Sequence, residues 1–291
     1  MKILYVTNYN SIARASGGFI SDYQNDLVFY GLREMFGDDV VDSTQIISLY
    51  KEYENKIPSQ HLWGGMTTFW LIGGNNIDRT NIEEKIKDKF YDLIIYGAIK
   101  RCKDYYDLIS KHYPANKVIL IDGNDETELD PLYHKHLYFK RELIENHKNL
   151  LPITFGIPTS KLTIPNKNKT QEYATCIPGQ PETYIFKSEQ PYYEDYQKSY
   201  YGVTTKKAGW DCMRHYEILG NYCIPYFVGL EDCPKNTLAN LPKELLLEAR
   251  NLAGNFDEQN YFNILDELFD YTKNNLTTKN LATYILNYAK I

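Results

Sequence analysis

Four stretches of this 291-residue sequence gather side chains that chemistry uses. The first is Ser16-Gly17-Gly18. Glycines there let backbone N–H groups approach a phosphate or a sugar closely. The spacing is not G-x-G-x-x-G, which argues against a dinucleotide site. The second is Asp122-Gly123-Asn124-Asp125-Glu126. Asp122, Asp125 and Glu126 are candidates for a general base that takes a proton from a hydroxyl, and they also suit helix capping. Two residues separate Asp122 from Asp125, so no D-x-D metal motif is present. In the third, Asp211, Arg214 and Glu217 recur every three residues, preceded by Lys206 and Lys207. On a helix they share one charged side, opposite Ala208, Cys212, Tyr216 and Leu219. A solvated helix face has the same spacing, but the Gly-Asn-Tyr-Cys-Ile-Pro that follows ties this helix to a strand and turns its charges toward a cleft. The fourth runs from Gly229 to Thr237 and contains Glu231, Asn236 and Thr237. With Asp232 or Cys233 as cap and Pro234 in the first turn, Asn236 and Thr237 lie at a positive helix end, which suits a diphosphate.

Elements must hold these groups in place. Residues 2–9 read as a buried strand, and residues 21–36 as a helix capped by Ser21 or Asp22 and ended by Gly37. Further strands are expected at 46–50, 68–72, 93–96, 118–121 and 151–155. Helices are expected at 78–90, 104–113 and, on a charged segment, 134–147. The pattern resumes with strands at 173–177 and 224–228 and helices at 206–219, 241–252, 261–271 and 276–290. Helix–strand alternation points to parallel sheets covered on both faces. In such sheets ligands sit beyond the carboxyl ends of the strands. The proline-punctuated, polar tract 158–171 is the natural linker. It divides the chain into 1–157 and 158–291.

Composition limits the function classes. Apolar residues make up 43% of the chain, enough for a sizeable core, and the net charge of -6 shows no basic field for gripping nucleic acid. The 27 tyrosines suit carbohydrate faces, although base composition of a genome produces the same excess. Five cysteines, an odd number with no C-x-x-C, argue against a disulfide framework or a zinc knuckle and for a reducing, cytoplasmic setting. The first ten residues turn polar too soon for a signal peptide, and no run of 18 apolar residues is available to span a membrane.

The segment R-H-Y-E-I-L-G-N-Y-C-I-P-Y-F (214–227) resembles the donor-site signature of GT-B glycosyltransferases, in which a glutamate opens an E-A-x-x-x-G-x-P-V stretch. It is most similar to the exostosin-like variety, with an arginine three residues before the glutamate and C-I-P after the glycine. E-D-C-P-K-N-T-L with the later L-P-K (231–243), D-G-N-D (122–125) and Y-F-K-R-E-L (138–143) resemble parts of bacterial and viral relatives.

The resemblance implies an α/β fold of two Rossmann-like, doubly wound parallel-sheet domains facing a central cleft, with 1–157 the acceptor side, 158–291 the donor side and the last helix crossing back to the first domain. It implies a hexosyl- or pentosyltransferase that binds a nucleoside diphosphate sugar mainly through the second domain. Glu217 would hydrogen-bond the donor ribose, and Arg214 would meet the diphosphate or an acidic neighbour. Gly17, Gly18, Lys206, Lys207, Asp211, Glu231, Asn236 and Thr237 complete the expected donor set. Charge developing on the leaving diphosphate would be met by Arg214, Lys206, Lys207 and the helix start at Pro234, with Lys140 and Arg141 as further candidates, and no metal or other cofactor. The acceptor would be a hydroxyl of a glycan, lipid or protein, activated in an inverting enzyme by Asp122, Asp125 or Glu126. The sequence departs from the family's E-x7-E pattern, since Gly209 stands eight positions before Glu217. That leaves the stereochemical outcome open. It also keeps two alternatives in play, a non-catalytic sugar- or nucleotide-binding relative and a phage-type enzyme that glycosylates DNA bases. An epimerase or dehydrogenase is disfavoured by the missing dinucleotide motif.

Overall fold

Ile3-Leu4-Tyr5-Val6 is apolar without alternation, and all four residues have no exposed surface. A strand of that kind must be covered on both faces, which is the situation at the centre of a parallel sheet. The computed structural model describes residues 1–7, 19–20, 22–57, 62–63, 66–74 and 76–289, with 19–20 and 62–63 described by backbone alone. In it β1 (Ile3–Val6) is followed by β2 (Phe19–Ile20), α1 (Tyr23–Phe36), β3 (Val40–Asp42), β4 (Leu62–Trp63), α2 (Ile82–Lys87), β5 (Leu93–Tyr96), α3 (Tyr106–His112), β6 (Val118–Asp122), β7 (Leu137–Lys140) and β8 (Leu150–Pro152). Six of these strands form one parallel sheet in the order β3-β1-β5-β6-β7-β8, while β2 and β4 form a short parallel pair. The later elements are β9 (Gln171–Tyr173), α4 (Glu189–Gln197), β10 (Ser199–Thr205), α5 (Met213–Gly220), β11 (Ile224–Val228), α6 (Lys243–Asn251), α7 (Glu258–Asn275) and α8 (Thr278–Ala289). Their strands form a second parallel sheet in the order β11-β10-β9. The architecture is therefore α/β with two parallel sheets.

One apolar core runs through both sheets, from Ile3 to Ile285. Helix α8 lies against the first-sheet side: the Thr278 hydroxyl donates to Glu34 Oε2 at 2.5 Å, and the Tyr284 hydroxyl donates to the Pro152 carbonyl at 2.9 Å. Asp22 caps α1 by accepting from Asn25 N at 3.2 Å. No helix among the described residues is long and apolar enough to cross a membrane.

Several elements differ from the sequence reading, each for a physical reason. The second strand of the large sheet is Val40–Asp42, and residues 46–50 instead contain the 3-10 turn Ile47–Leu49. Asp42 turns the chain there, its Oδ2 accepting from Ile46 N and the Tyr50 hydroxyl, both at 3.0 Å. Residues 68–72 hold no strand, only a bridge from Ile72 to Tyr50. Residues 134–147 are not a helix: they contain β7, whose Lys140 is fully buried, followed by Arg141 and Glu142, each 3% exposed. Charge there marks a buried network instead of a solvated face.

The helix expected from residue 206 begins only at Met213. Residues 209–211 bond across to other segments instead of along a helix. Asp211 N donates to Glu142 Oε1 at 3.1 Å, and Asp211 Oδ2 accepts from Phe155 N at 2.8 Å. Gly209 permits this approach, because a Cβ there would come within 2.6 Å of Glu142 Oε1 and 2.9 Å of Asp125 Oδ1. No helix starts at Pro234 either: residues 235–240 are turns, and Lys243 at the head of α6 reaches back to the Pro234 carbonyl at 2.9 Å.

Candidate functional site

Two adjoining cavities lie where the loops of the two sheets meet. Tyr23, Lys207, Cys212 and Met213 belong to the walls of both. The smaller, about 350 Å³, is lined by Arg214 and Glu217 of α5, by Lys207, and by the aromatic side chains of Tyr184, Phe186 and Tyr192. The larger, about 580 Å³, opens at the carboxyl ends of β6, β7 and β8, where Asp125, Arg141 and Phe155 face Asp211 and the first turn of α1.

All eight residues of α5 are buried. The preceding Cys212 is extended, with φ -140° and ψ 150°, and makes no side-chain capping bond. The head of this helix opens on the small cavity without the usual oxygen cap, so the partial positive charge of its first turn is not answered there.

Arg214 sits in that first turn and is 9% exposed. Its Nη2 donates to the Tyr184 hydroxyl at 3.1 Å, and its guanidinium lies 5.3 Å from the centre of the Tyr184 ring. Its Nε and Nη1 are buried without a hydrogen-bond partner. A guanidinium stays charged and presents a fork of donors shaped for carboxylate or phosphate. Leaving such donors unmet in the interior costs on the order of 1–3 kcal/mol, more for a charged group.

Glu217, one turn along and 4% exposed, gives its carboxylate to hydroxyls. Oε2 accepts from the Tyr192 hydroxyl at 2.9 Å, and Oε1 accepts from the Thr67 hydroxyl. Tyr193 in turn bonds Thr67 at 2.6 Å, and Tyr196 bonds Tyr192 at 2.8 Å. Burial pushes the Glu217 carboxyl above its ordinary range, while the hydroxyl donors and Arg214 pull it back.

The wall of the larger cavity is organised by Arg141. Its Nε donates to the Gly123 carbonyl at 2.9 Å, Nη1 to Glu142 Oε1 at 3.2 Å and to the Asp211 carbonyl at 2.5 Å, and Nη2 to Asp125. Its guanidinium lies 4.8 Å from the centre of the Phe155 ring. Burial pushes the Asp211 carboxyl up to about 6, against the opposing pull of Arg141 and His215. His215 is fully buried and its imidazole is pushed down by burial; it meets Thr204 Oγ1 at 3.0 Å and stacks on Phe227.

The structure thus brings Lys207, Arg214 and Glu217 to one cavity and Asp125, Asp211 and Lys207 to the next. Other sequence candidates lie elsewhere. Asp122 is 1% exposed, and its carboxylate is occupied by the Tyr138 hydroxyl at 2.6 Å, Lys140 Nζ at 3.1 Å and Asn124 N at 3.1 Å. Glu126 and Lys206 are exposed and line neither cavity; Lys206 lies 5.2 Å from the Trp210 ring. Glu231 pairs with Arg250 at 2.7 Å on the surface. Asn236 donates to Asn146 at 3.0 Å, and buried Thr237 donates to the Leu143 carbonyl at 3.2 Å. Gly17 and Gly18 lie outside the described residues.

Sequence reasoning missed Thr67, Tyr184 and Tyr192. Uncharged residues at loop positions give no local signal, although Tyr192 and Tyr196 have the four-residue spacing of one helix face. A third cavity, about 340 Å³ at the β9 edge, is lined by Tyr200, Phe256 and Lys169, and the lysine amine there donates to the Gln197 carbonyl at 2.9 Å and to the Tyr222 carbonyl. None of the sequence candidates reaches it. Among the described residues no three His, Cys, Asp or Glu side chains gather as a metal site requires. No family model matches the sequence, and no curated protein matches it.

Proposed function

We propose that this protein is a glycosyltransferase of the GT-B type, moving a sugar from a nucleoside diphosphate sugar to an acceptor hydroxyl. The observation that carries the reading is Arg214, a buried cation with two unmet nitrogens beside an uncapped helix head. An anionic phosphate supplies what both lack. Lys207, exposed and 5.9 Å from the Tyr184 ring, adds a positive charge at the mouth. Glu217, ringed by the hydroxyls of Thr67 and Tyr192, takes the ribose diol, and Tyr184, Phe186 and Tyr192 give the nucleoside an aromatic wall.

In the transfer, the sugar–phosphate bond breaks and negative charge grows on the departing diphosphate. Arg214, Lys207 and the α5 N-terminus stabilise that charge without a divalent ion. The acceptor hydroxyl approaches from the larger cavity, where Asp125 takes its proton; Asp211 is the second carboxylate on that wall. Under this reading residues 1–157 supply the acceptor side and 158–291 the donor side, with α8 returning to the first.

A thermal-shift panel of nucleoside diphosphates and their sugars tests the donor site. A ligand at 100 times its Kd should add roughly 2.7 kcal/mol of stability. The wild-type protein should respond to at least one member and Arg214→Ala to the same member with a smaller shift; no response from the wild type sinks the reading. A non-catalytic nucleotide-binding relative is the second reading, favoured by Gly209 where the similar enzymes carry a glutamate. It predicts the same thermal shift with no release of nucleoside diphosphate.

A further inference from the structure

The larger cavity shows an unmet demand of opposite sign to that of its neighbour. Gln24, in the first turn of α1, is 1% exposed and lines this cavity. Its Nε2 donates to the Thr154 carbonyl at 3.3 Å, which fixes the amide with its oxygen turned the other way. That oxygen, Oε1, is buried without a partner. Gly123 at the end of β6 makes the arrangement possible, since a Cβ there would come within 2.4 Å of Gln24 Cβ. On the facing wall the Asp211 carboxylate has the Tyr216 hydroxyl beside it as a donor. The Gln24 oxygen is an acceptor, so the missing ligand must bring a hydrogen-bond donor.

The formal charges say which donors. Asp22, Asp125 and Asp211 line the cavity with Arg101, Arg141 and Lys207, so the acids and bases cancel. Asp22 pairs with Arg101 at 2.6 Å, and Asp125 with Arg141. A phosphorylated or carboxylated ligand would meet no net positive field, and an amine would meet no net negative one. A neutral molecule rich in hydroxyls satisfies the Gln24 oxygen without disturbing the ion pairs, and Phe155 and Tyr23 add apolar lining.

We infer that the larger cavity is a binding site for a neutral carbohydrate, read by the Gln24 amide oxygen. This deepens the function proposed above by naming the class of its acceptor, and it rests on that reading for the acceptor role. The cavity volume of about 580 Å³ lies within the range of small-molecule sites.

The experiment is a glycan array of neutral, amino, sulfated and phosphorylated oligosaccharides, probed with the full-length protein, with hits quantified by calorimetry. Neutral glycans should dominate the hits. Gln24→Met should weaken the best of them at least tenfold. Because Gln24 is buried and its variant risks misfolding, Ala208→Trp is the second test: Ala208 is exposed on the cavity rim, and a bulky ring there should abolish glycan binding in a folded protein. Hits confined to charged glycans, no hits at all, or glycan affinity unchanged in folded Gln24→Met and Ala208→Trp would each overturn the inference. Nucleotide binding measured alongside separates the two claims. Nucleotides bound without glycans removes this site alone, whereas glycans bound without nucleotides removes the transferase reading and leaves the carbohydrate site standing.

Discussion

Arg141 and Arg214 are both arginines buried at the mouth of a parallel sheet, yet they meet opposite surroundings. Every nitrogen of Arg141 has a partner, shared among Gly123, Asp125, Glu142 and Asp211. Arg214 has one hydroxyl, and its Nε and Nη1 face nothing. The first arginine ties three chain segments together, and its network is closed. The second leaves a valence open. Buried charge alone therefore does not set the two arginines apart; the unmet hydrogen-bonding capacity of Arg214 does.

Substitutions can break that contrast. Arg141→Ala should have the largest effect on stability, about 3–5 kcal/mol, because it strands buried Glu142 and two carbonyls. Chemical denaturation measures it, and a loss below about 1 kcal/mol would show that the network is not closed as described. The next test uses pH. Burial holds the Asp211 carboxyl at about 6, above the ordinary carboxylate range, so its protonated form favours the folded state. The stabilising contribution is complete below about pH 4 and is lost as the pH rises through about 6. Asp211→Asn stays neutral, so it should gain stability relative to wild type between those pH values, by on the order of 3 kcal/mol at most. A relative loss over the same window would mean that Arg141 outweighs burial.

At the open site the signs reverse. Arg214→Ala should leave the unfolding free energy within about 1 kcal/mol of wild type, since it removes a buried cation that lacks partners. Donor affinity should nevertheless fall by about 1.5–3 kcal/mol, roughly 10- to 150-fold, and Glu217→Gln should lose a similar amount through its charge-assisted hydrogen bonds. Normal nucleotide affinity in both folded variants would return α5 to a structural role. The smallest effect is expected at Glu231. It pairs with Arg250 on the surface, and neither residue lines either of the two cavities, so Glu231→Ala should change neither melting temperature nor nucleotide affinity measurably.

The same contrast explains what the sequence could and could not convey. β5 and β11 are legible because uninterrupted apolar runs of strand length have one solution in a parallel sheet. The spacing of Arg214 and Glu217 is legible because both lie on one short helix, and one helical turn places them on one wall. β7 was not legible: Lys140, Arg141 and Glu142 carry charge, local pattern reads charge as solvent exposure, and only the partners Asp122, Asp125 and Asp211 from other segments make burial affordable. The late start of α5 was hidden for the same reason, since Asp211 bonds to Phe155 and Glu142, distant in the chain. Asn236 and Thr237 failed as a helix head because Lys243 and Leu143 take the polar groups that a helix there would use. In each case the deciding partner is remote in sequence.

The central claim is that Arg214 and its cavity hold the diphosphate of a sugar donor while the sugar leaves. Its most direct test is the release of nucleoside diphosphate from a panel of nucleotide sugars, in the presence of neutral glycan acceptors and without added metal, by wild type and by folded Arg214→Ala. The wild type should release it from at least one donor, and the variant at least tenfold more slowly. No release by the wild type, or equal release by both proteins, would contradict it.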